Sequence, residues 1–170
     1  MQQILIPLKR AKLLDNKLIK ELEEKLKCTI TVEESSLTIS GEPFEEYNAR
    51  NVITAFGRGF ELKNAFKLLL EDYFFKTINL KEIFKSKDKI ISIKGRIIGK
   101  EGKTKEYIES VSGALISVYG GTVSIIGTNN EITIAEAAIN TLIDGGTHKK
   151  AYRVMEAARK KIRISDIHGR

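Results

Sequence analysis

The chain has 170 residues, of which 42% are hydrophobic and 30% are charged, enough for one large or two small domains without long disordered tails. Its formal charge of +7 favours a polyanionic partner. No apolar stretch reaches the roughly 20 residues that cross a bilayer, and one cysteine with two histidines excludes an internal disulfide or an ordinary Cys/His zinc site. We therefore expect a soluble, cytoplasmic protein with no membrane partner, metal or cofactor.

In chain order, the first half begins with an extended segment, Gln3 to Pro7, followed by helical residues rich in Lys, Glu, Leu and Ile. Two strands are predicted next, Cys28 to Val32, whose cysteine we expect to be buried, and Leu37 to Gly41. A helical pattern then ends near Gly59. Residues 61–71 are predicted to form an amphipathic helix that closes this half.

The second half repeats this order at an offset of 86 residues. Ala114 to Val118 and Val123 to Gly127 fall on the two strands of the first half, and another helical pattern ends near Gly145. An extended segment, Thr77 to Phe84, precedes them, and a basic helix over residues 147–163 follows. Chance similarity between amphipathic segments is the alternative interpretation of the repeat.

Two α+β domains follow from the repeat, at residues 1–73 and 74–170. Each has the order strand, helix, helix, strand, strand, helix, which packs helices on one face of a three-stranded sheet. We expect the basic C-terminal helix to be an addition to the second domain.

A loop between the two helices of the second domain has the sequence Gly99-Lys100-Glu101-Gly102. Two glycines three residues apart let the backbone turn sharply and approach a ligand closely. The next helix starts at once, so its free amide groups and positive dipole end point into the same space. This arrangement suits a phosphodiester, although a tight helix-helix turn could also use two glycines.

A nucleotide-binding P-loop, GxxxxGK[ST], is the competing motif at this position, because Gly102-Lys103-Thr104 matches its end. That motif requires a glycine at position 97, where this chain has Ile97. The residues before it are also predicted to be helix instead of a buried strand, so the P-loop interpretation fails on spacing and on context.

The predicted site combines the loop with an apolar floor on which unstacked bases could lie, formed by Ile97, Ile98, Ile108, Val111 and Ile116. Nearby cations add phosphate-directed charge. The residues predicted to contact RNA are Arg96, Ile97, Ile98, Gly99, Lys100, Glu101, Gly102, Lys103, Thr104, Lys105, Ile116, Lys149, Arg153 and Lys160. For the last three, a merely solvated helix face is the alternative.

The first domain has lost this loop, since Leu13 to Asn16 occupies the equivalent positions at the offset of 86. Asp15 is instead a good helix N-cap, and Glu33 and Glu34 in a neighbouring turn would repel phosphates. We predict a structural or protein-docking domain. The alternative is peripheral RNA contact through three nearby cations, Lys9, Arg10 and Lys12.

The chain resembles the partner-of-Nob-one, or Dim-two, KH proteins, in particular their archaeal members. The resemblance covers nearly the whole chain and rests on four segments, Ala55 to Phe60, Lys94 to Thr104, Ile116 to Gly127 and His148 to Ile162. It implies two tandem type I KH domains. Many archaeal relatives keep a glycine-rich loop in the first KH domain, whereas this chain has Leu13 to Asn16 there, so no role of that loop is carried over to it.

The resemblance also implies a function that residue patterns alone do not give. Such proteins are small-subunit assembly factors that bind single-stranded rRNA near the 3′ end of 16S rRNA. They work beside the PIN-domain endonuclease that trims this end, and archaeal members meet the alpha subunit of translation initiation factor two. An adaptor that docks either protein, with RNA binding secondary, is the alternative function.

An enzyme is the least favoured class. Acidic residues occur in pairs, but members such as Glu33 and Glu34 are adjacent and would point to different faces of a strand or helix. His148 begins a cationic helix, so we expect a helix-start or phosphate contact there instead of a general base. We predict no catalytic residues.

Overall fold

The structure, a computed structural model, describes residues 1–169. Its contacts divide the chain into two compact units, one from Met1 to Glu71 and a second that begins at Asp72. Each unit contains a three-stranded antiparallel sheet. The predicted second domain ended at Arg170, which lies outside the described residues.

The first unit has a sheet with the strand order β1-β3-β2. Its elements are β1 (Gln2–Leu5), α1 (Leu8–Ala11), α2 (Asn16–Leu26), β2 (Thr29–Glu33), β3 (Ser36–Ser40), α3 (Pro43–Gly57) and α4 (Leu62–Ala65). The helix predicted over residues 61–71 is shorter than expected, because α4 passes into a 3-10 turn at Phe66 that ends at Leu69.

The second unit has the equivalent strand order β4-β6-β5. Its elements are β4 (Phe74–Asn79), α5 (Leu80–Ile83), α6 (Lys87–Ile98), α7 (Lys103–Ser112), β5 (Leu115–Tyr119), β6 (Thr122–Gly127), α8 (Asn129–Ile143) and α9 (His148–His168). The predicted extended segment Thr77 to Phe84 is corrected. The Asn79 side chain accepts the N–H of Lys81 at 3.1 Å and starts the helical turn α5, which ends the strand.

The repeat seen in the sequence is present in three dimensions. β2 and β5, β3 and β6, and α3 and α8 begin 86 residues apart, and α2 and α7 end 86 residues apart. The opening strands differ, because Gln2 pairs with Ile39 and Lys76 pairs with Ile125, an offset of 74 residues. Because this offset is smaller than 86, the second unit has a longer segment after its first strand than the first unit has. That longer segment forms α5 and the first turns of α6, whereas α1 of the first unit corresponds only to the last turn of α6.

A partly buried glutamate contact is also repeated. Glu23 Oε1 accepts the N–H of Ile30 at 2.8 Å, and Glu109 Oε1 accepts the N–H of Ile116 at 2.8 Å. Each carboxylate therefore ties the helix that carries it, α2 or α7, to the strand that follows. Equivalent contacts at equivalent positions argue against chance similarity as the cause of the repeat.

An arginine clamp is the third repeated feature. Arg10 donates to the carbonyl oxygens of Phe56 at 2.8 Å and Phe60 at 2.6 Å. Arg96 donates to the carbonyl oxygens of Leu142, at 3.1 Å, and Gly146, residues 86 positions after those two acceptors. Both clamps satisfy carbonyl groups at or just past the C-terminal end of a helix, α3 or α8, where the helix has no partners for them.

Replacing Arg10 or Arg96 with lysine is expected to lower the free energy of unfolding by about 1–3 kcal/mol in each case. An ammonium group cannot donate to two carbonyls in fixed directions, and Arg10 would also lose its stacking on the Phe56 ring, 4.2 Å from the ring centroid. Urea denaturation followed by circular dichroism measures the effect. Arg163→Lys, on an exposed position of α9, is the control and should match the wild type.

The core of the second unit joins strand and helix residues in one apolar cluster. Val123 and Ile125 of β6 pack with Ile93 of α6, Ile108 of α7 and Ile139 of α8, all exposed by 1% or less. This cluster fixes the relative positions of α6 and α7, and therefore the geometry of the loop between them.

The one cysteine of the chain is a buried residue. Cys28 is buried as predicted, its Sγ donates to the Leu26 carbonyl at 3.2 Å, and burial raises the pKa of the thiol. Over residues 1–169, no helix is long and apolar enough to span a membrane, and no group of three or more His, Cys, Asp and Glu side chains could hold a metal ion.

Candidate nucleic-acid interface

The loop from Gly99 to Gly102 links α6 to α7 through left-handed backbone. Gly99 has φ 75° and ψ 174°, and a Cβ atom there would lie 2.1 Å from Thr104 Oγ1 and 2.8 Å from the Thr104 backbone nitrogen. Gly102 has φ 75° and ψ 6°, with open space where its Cβ would be. Only glycine fits the first position, whereas the second favours glycine for its conformation alone.

The N-terminus of α7 faces the same loop without a side-chain cap. Gly102 is its N-cap residue and has no side chain that could accept from the helix amides. The Gly102 N–H donates to the Gly99 carbonyl at 3.2 Å and closes the turn. Lys100, Glu101 and Lys103 are exposed around it. Uncapped amide groups, a helix dipole and flanking cations are together the features that favour an anion at this position.

The cations around the loop differ in what they already contact. Lys103 Nζ lies 3.6 Å from the Glu101 carboxylate, and both side chains are exposed, so this pair is weak. Lys105 Nζ lies 3.3 Å from Glu109 along α7 and is only partly exposed. Within residues 1–169, Lys100 has no carboxylate within ion-pair distance, so we infer that it is the cation most available to a phosphate.

The predicted apolar floor needs correction. The side chains of Ile97, Ile108 and Ile116 are 0%, 0% and 3% exposed and belong to the core cluster, so Ile97 and Ile116 present no surface to a base. Ile98 and Val111 are partly exposed and remain accessible. The reason is helical spacing, because Ile93 and Ile97, four residues apart, both point into the sandwich.

Two further predicted contacts have structural roles instead. The Arg96 guanidinium is bound to the carbonyl oxygens of Leu142 and Gly146, and its own carbonyl lies 2.9 Å from His148 Nε2. Thr104 is 6% exposed. Both residues therefore help to hold the loop in place, and their direct contact with RNA stays a prediction.

Sequence reasoning missed the outer face of α6. Ile91 is 66% exposed, and Gly95 is exposed with open space where its Cβ would be. With Ile98 they form an i, i+4, i+7 series, which places them on one side of the helix leading to the loop. This spacing was available in the sequence. A mid-helix glycine without a packing partner costs about 1 kcal/mol relative to alanine, and it permits close approach of a ligand to the backbone.

Three basic residues of α9 lie on the helical face that contacts α7. Lys149, Arg153 and Lys160 are exposed and share one helical face with Glu156. The Tyr107 hydroxyl of α7 donates to Glu156, a bond that raises the pKa of this tyrosine. Because Glu156 contacts α7, the three cations border the same helix that begins at the loop.

Taken together, the β-α-α-β-β-α order, the three-stranded antiparallel sheet and the GxxG loop between α6 and α7 define a KH-type nucleic-acid-binding domain. The family model for the second KH domain of PNO1, described as a eukaryotic type KH-domain (KH-domain type I), matches residues 74–160. The chain therefore belongs to the PNO1 family of KH proteins, also called Dim2, and the resemblance noted in the sequence is confirmed. The C-terminal helix expected beyond the KH elements is α9.

Named relatives occur in archaea and in eukaryotes. The chain is 37% identical over 150 residues to the KH domain-containing protein MJ0443 of Methanocaldococcus jannaschii, covering 85% of this chain and 66% of that protein. It is 30% identical over 126 residues to the pre-rRNA-processing protein PNO1 of Chaetomium thermophilum, covering 72% and 48%. The chain thus spans about two thirds or less of these relatives.

A solved structure also matches. It is the a/eIF2alpha-aDim2p-rRNA complex from Pyrococcus horikoshii, with a TM-score of 0.85 and 37% identity over 94% of this chain and 94% of the matched chain. At this coverage the match includes residues of both units.

Proposed function

We propose that this chain binds single-stranded RNA near the 3′ end of 16S rRNA during processing and assembly of the small ribosomal subunit. The observation that carries the proposal is the GxxG loop, whose glycine backbone and uncapped helix terminus form an anion site beside partly exposed apolar residues. Relatives named for pre-rRNA processing and a structural neighbour in complex with rRNA support it.

The proposed RNA path follows residues that are at least partly exposed. Phosphates lie on the loop from Gly99 to Lys103, and bases lie against Ile98 and Val111 with the outer face of α6 beyond them. Lys149, Arg153 and Lys160 add charge at the side of α7. The proposal includes no covalent step, so no residue has a catalytic role.

The first unit is proposed to be a second KH domain that does not grip phosphate. At its α2 N-terminus, Asp15 Oδ1 accepts the N–H of Leu18 at 2.8 Å, so a carboxylate of the chain occupies the amide that a phosphate would need. Glu33, the last residue of β2, and Glu34, in the turn that follows, are exposed and add like charge. RNA contact is therefore assigned to the second unit.

Binding to three labelled RNAs tests the function. We expect a single strand matching the 3′ end of 16S rRNA to bind at least about tenfold more tightly than its duplex form or a shuffled strand, because the bases must be unstacked to reach the groove. The logarithm of the binding constant should fall with log salt by about 0.7 per neutralised phosphate. Equal affinity for all three would contradict the proposal, and RNA cleavage with added magnesium or manganese would contradict the absence of catalysis.

A second candidate function is protein docking, favoured by the presence of a/eIF2alpha in the structural neighbour. In this proposal the first unit contacts the initiation factor two alpha subunit or the PIN-domain endonuclease. Leu8 and Leu13 are 46% and 53% exposed at positions that match Lys94 and Gly99 of the second unit, so the equivalent surface is apolar. Partner binding should then survive loss of the GxxG loop.

A further inference from the structure

The loop geometry depends on one side chain that lies directly beneath it. Thr104 Oγ1 lies 2.1 Å from the place where a Gly99 Cβ would be, and Thr104 Cβ lies 2.6 Å from it. Thr104 is 6% exposed and is the second residue of α7. The threonine side chain thus fills the space that the missing Gly99 side chain leaves.

Thr104 is in turn held by a residue outside the strand-helix-helix-strand-strand-helix unit. The Tyr152 hydroxyl, on α9, donates to Thr104 Oγ1 at 3.2 Å. The Tyr152 ring also packs edge-on against Tyr107, with centroids 4.5 Å apart and an interplanar angle of 62°. The chain of contacts therefore runs from α9 through Thr104 to Gly99.

The same turn of α9 reaches the other side of the loop. His148 Nε2 lies 2.9 Å from the carbonyl oxygen of Arg96, two residues before the end of α6. One face of α9 therefore contacts both helices that the loop connects. A separate contact, from Tyr107 to Glu156, joins α9 to α7 without touching Thr104.

We propose that Tyr152 is a positioning residue for RNA binding, which sets the rotamer of Thr104 and through it the backbone of Gly99. This inference rests on the proposed function of the loop. Fixed loop amides lose less conformational entropy when a phosphate binds, so a held loop binds more tightly than a free one. The C-terminal helix is then part of the RNA site even where its cations make no contact.

Tyr152→Phe removes only the hydroxyl that Thr104 accepts. We expect the single-stranded RNA to bind about three- to tenfold more weakly, the range that follows from loss of one hydrogen bond. The change should be mainly in the dissociation rate, with an unchanged salt slope because no cation is removed. Hydrogen exchange at the Gly99 amide, which donates to the Gly95 carbonyl at 2.8 Å, should become faster in the free protein.

Variants of Thr104 test whether the effect passes through this residue. Thr104→Val keeps the shape and removes the acceptor, so it should weaken binding about as much as Tyr152→Phe, and the two changes combined should be no worse than either alone. Thr104→Ser keeps the hydroxyl and should remain within about twofold of wild type, since the hydrogen bond that each of the other variants loses is retained.

Tyr107→Phe is the matched control, because it removes a hydrogen bond between α9 and α7 that does not involve Thr104. It should leave RNA affinity and Gly99 exchange unchanged even if thermal stability falls. Equal weakening by Tyr107→Phe and Tyr152→Phe would overturn the proposal, because α9 would then act only through general stability. Wild-type exchange at Gly99 in Tyr152→Phe would also overturn it. Failure of the wild type to bind RNA would refute the proposed function, while the exchange measurement would still test the positioning.

Discussion

Replacing both Lys100 and Glu101 with aspartate is expected to weaken binding of the single-stranded RNA by about 30- to 300-fold. Lys100 is the loop cation without an ion pair among residues 1–169, and a charge-assisted hydrogen bond to phosphate contributes about 1.5–3 kcal/mol. A carboxylate in its place replaces attraction by repulsion at the same short distance. The salt slope should fall by about 0.7 for each phosphate contact that is lost.

The double variant is expected to fold normally, so the loss can be assigned to the loop. Gly99 and Gly102 are unchanged, and Lys100 and Glu101 are both exposed. Glu101 has φ 55° and ψ 27°, a left-handed conformation that aspartate adopts more readily than most residues. Urea denaturation should therefore give a free energy of unfolding within about 0.5 kcal/mol of wild type.

Lys87→Asp is the matched control, since it causes the same change in net charge on an exposed residue at the opposite end of α6. It should weaken RNA binding by no more than about twofold through long-range charge alone. The purified initiation factor two alpha subunit provides a second measurement, because docking through the first unit should be equal for wild type and the loop variant. Normal RNA binding by the loop variant would remove the GxxG loop from the RNA site and leave the adaptor function as the better proposal.

The sequence predicts most of the repeated strands and helices correctly. The offset of 86 residues located β2 with β5, β3 with β6 and α3 with α8, because strand alternation, helical spacing and terminal glycines are all local signals. The opening strand of the second unit was misplaced. The segment from Thr77 to Phe84 contains a strand end and a helical turn, and only the Asn79 cap distinguishes the two.

Side-chain roles in the site were harder to predict, because burial depends on elements distant in sequence. Ile97 and Ile98 are adjacent and equally apolar, yet one is in the core and the other is partly exposed. Arg96 was assigned to phosphate although its partners are 46 and 50 residues away. The repeat offered a signal, since Arg10 stands 86 residues before Arg96 in a unit without the loop. An arginine that is present at this position in both units is better explained by a shared structural contact than by RNA binding.

The two glycines of the loop are expected to differ in the cost of a methyl group. Gly99→Ala should lower the free energy of unfolding by about 3–5 kcal/mol, since φ 75° with ψ 174° is almost exclusive to glycine and the added carbon overlaps Thr104. Gly102→Ala should cost only about 1–2 kcal/mol, because its left-handed conformation is accessible to alanine and the space is open.

Urea denaturation of the two alanine variants measures this difference, and RNA binding by the folded Gly102→Ala protein measures its consequence. If the loop acts as a preformed anion site, a methyl group at Gly102 should obstruct the phosphate and weaken binding although the fold is retained. Equal destabilisation by both substitutions would mean that Thr104 moves aside at little cost. In that case the contact between Thr104 and Gly99 could not determine loop geometry, and the support that α9 gives through Tyr152 would have no effect on RNA.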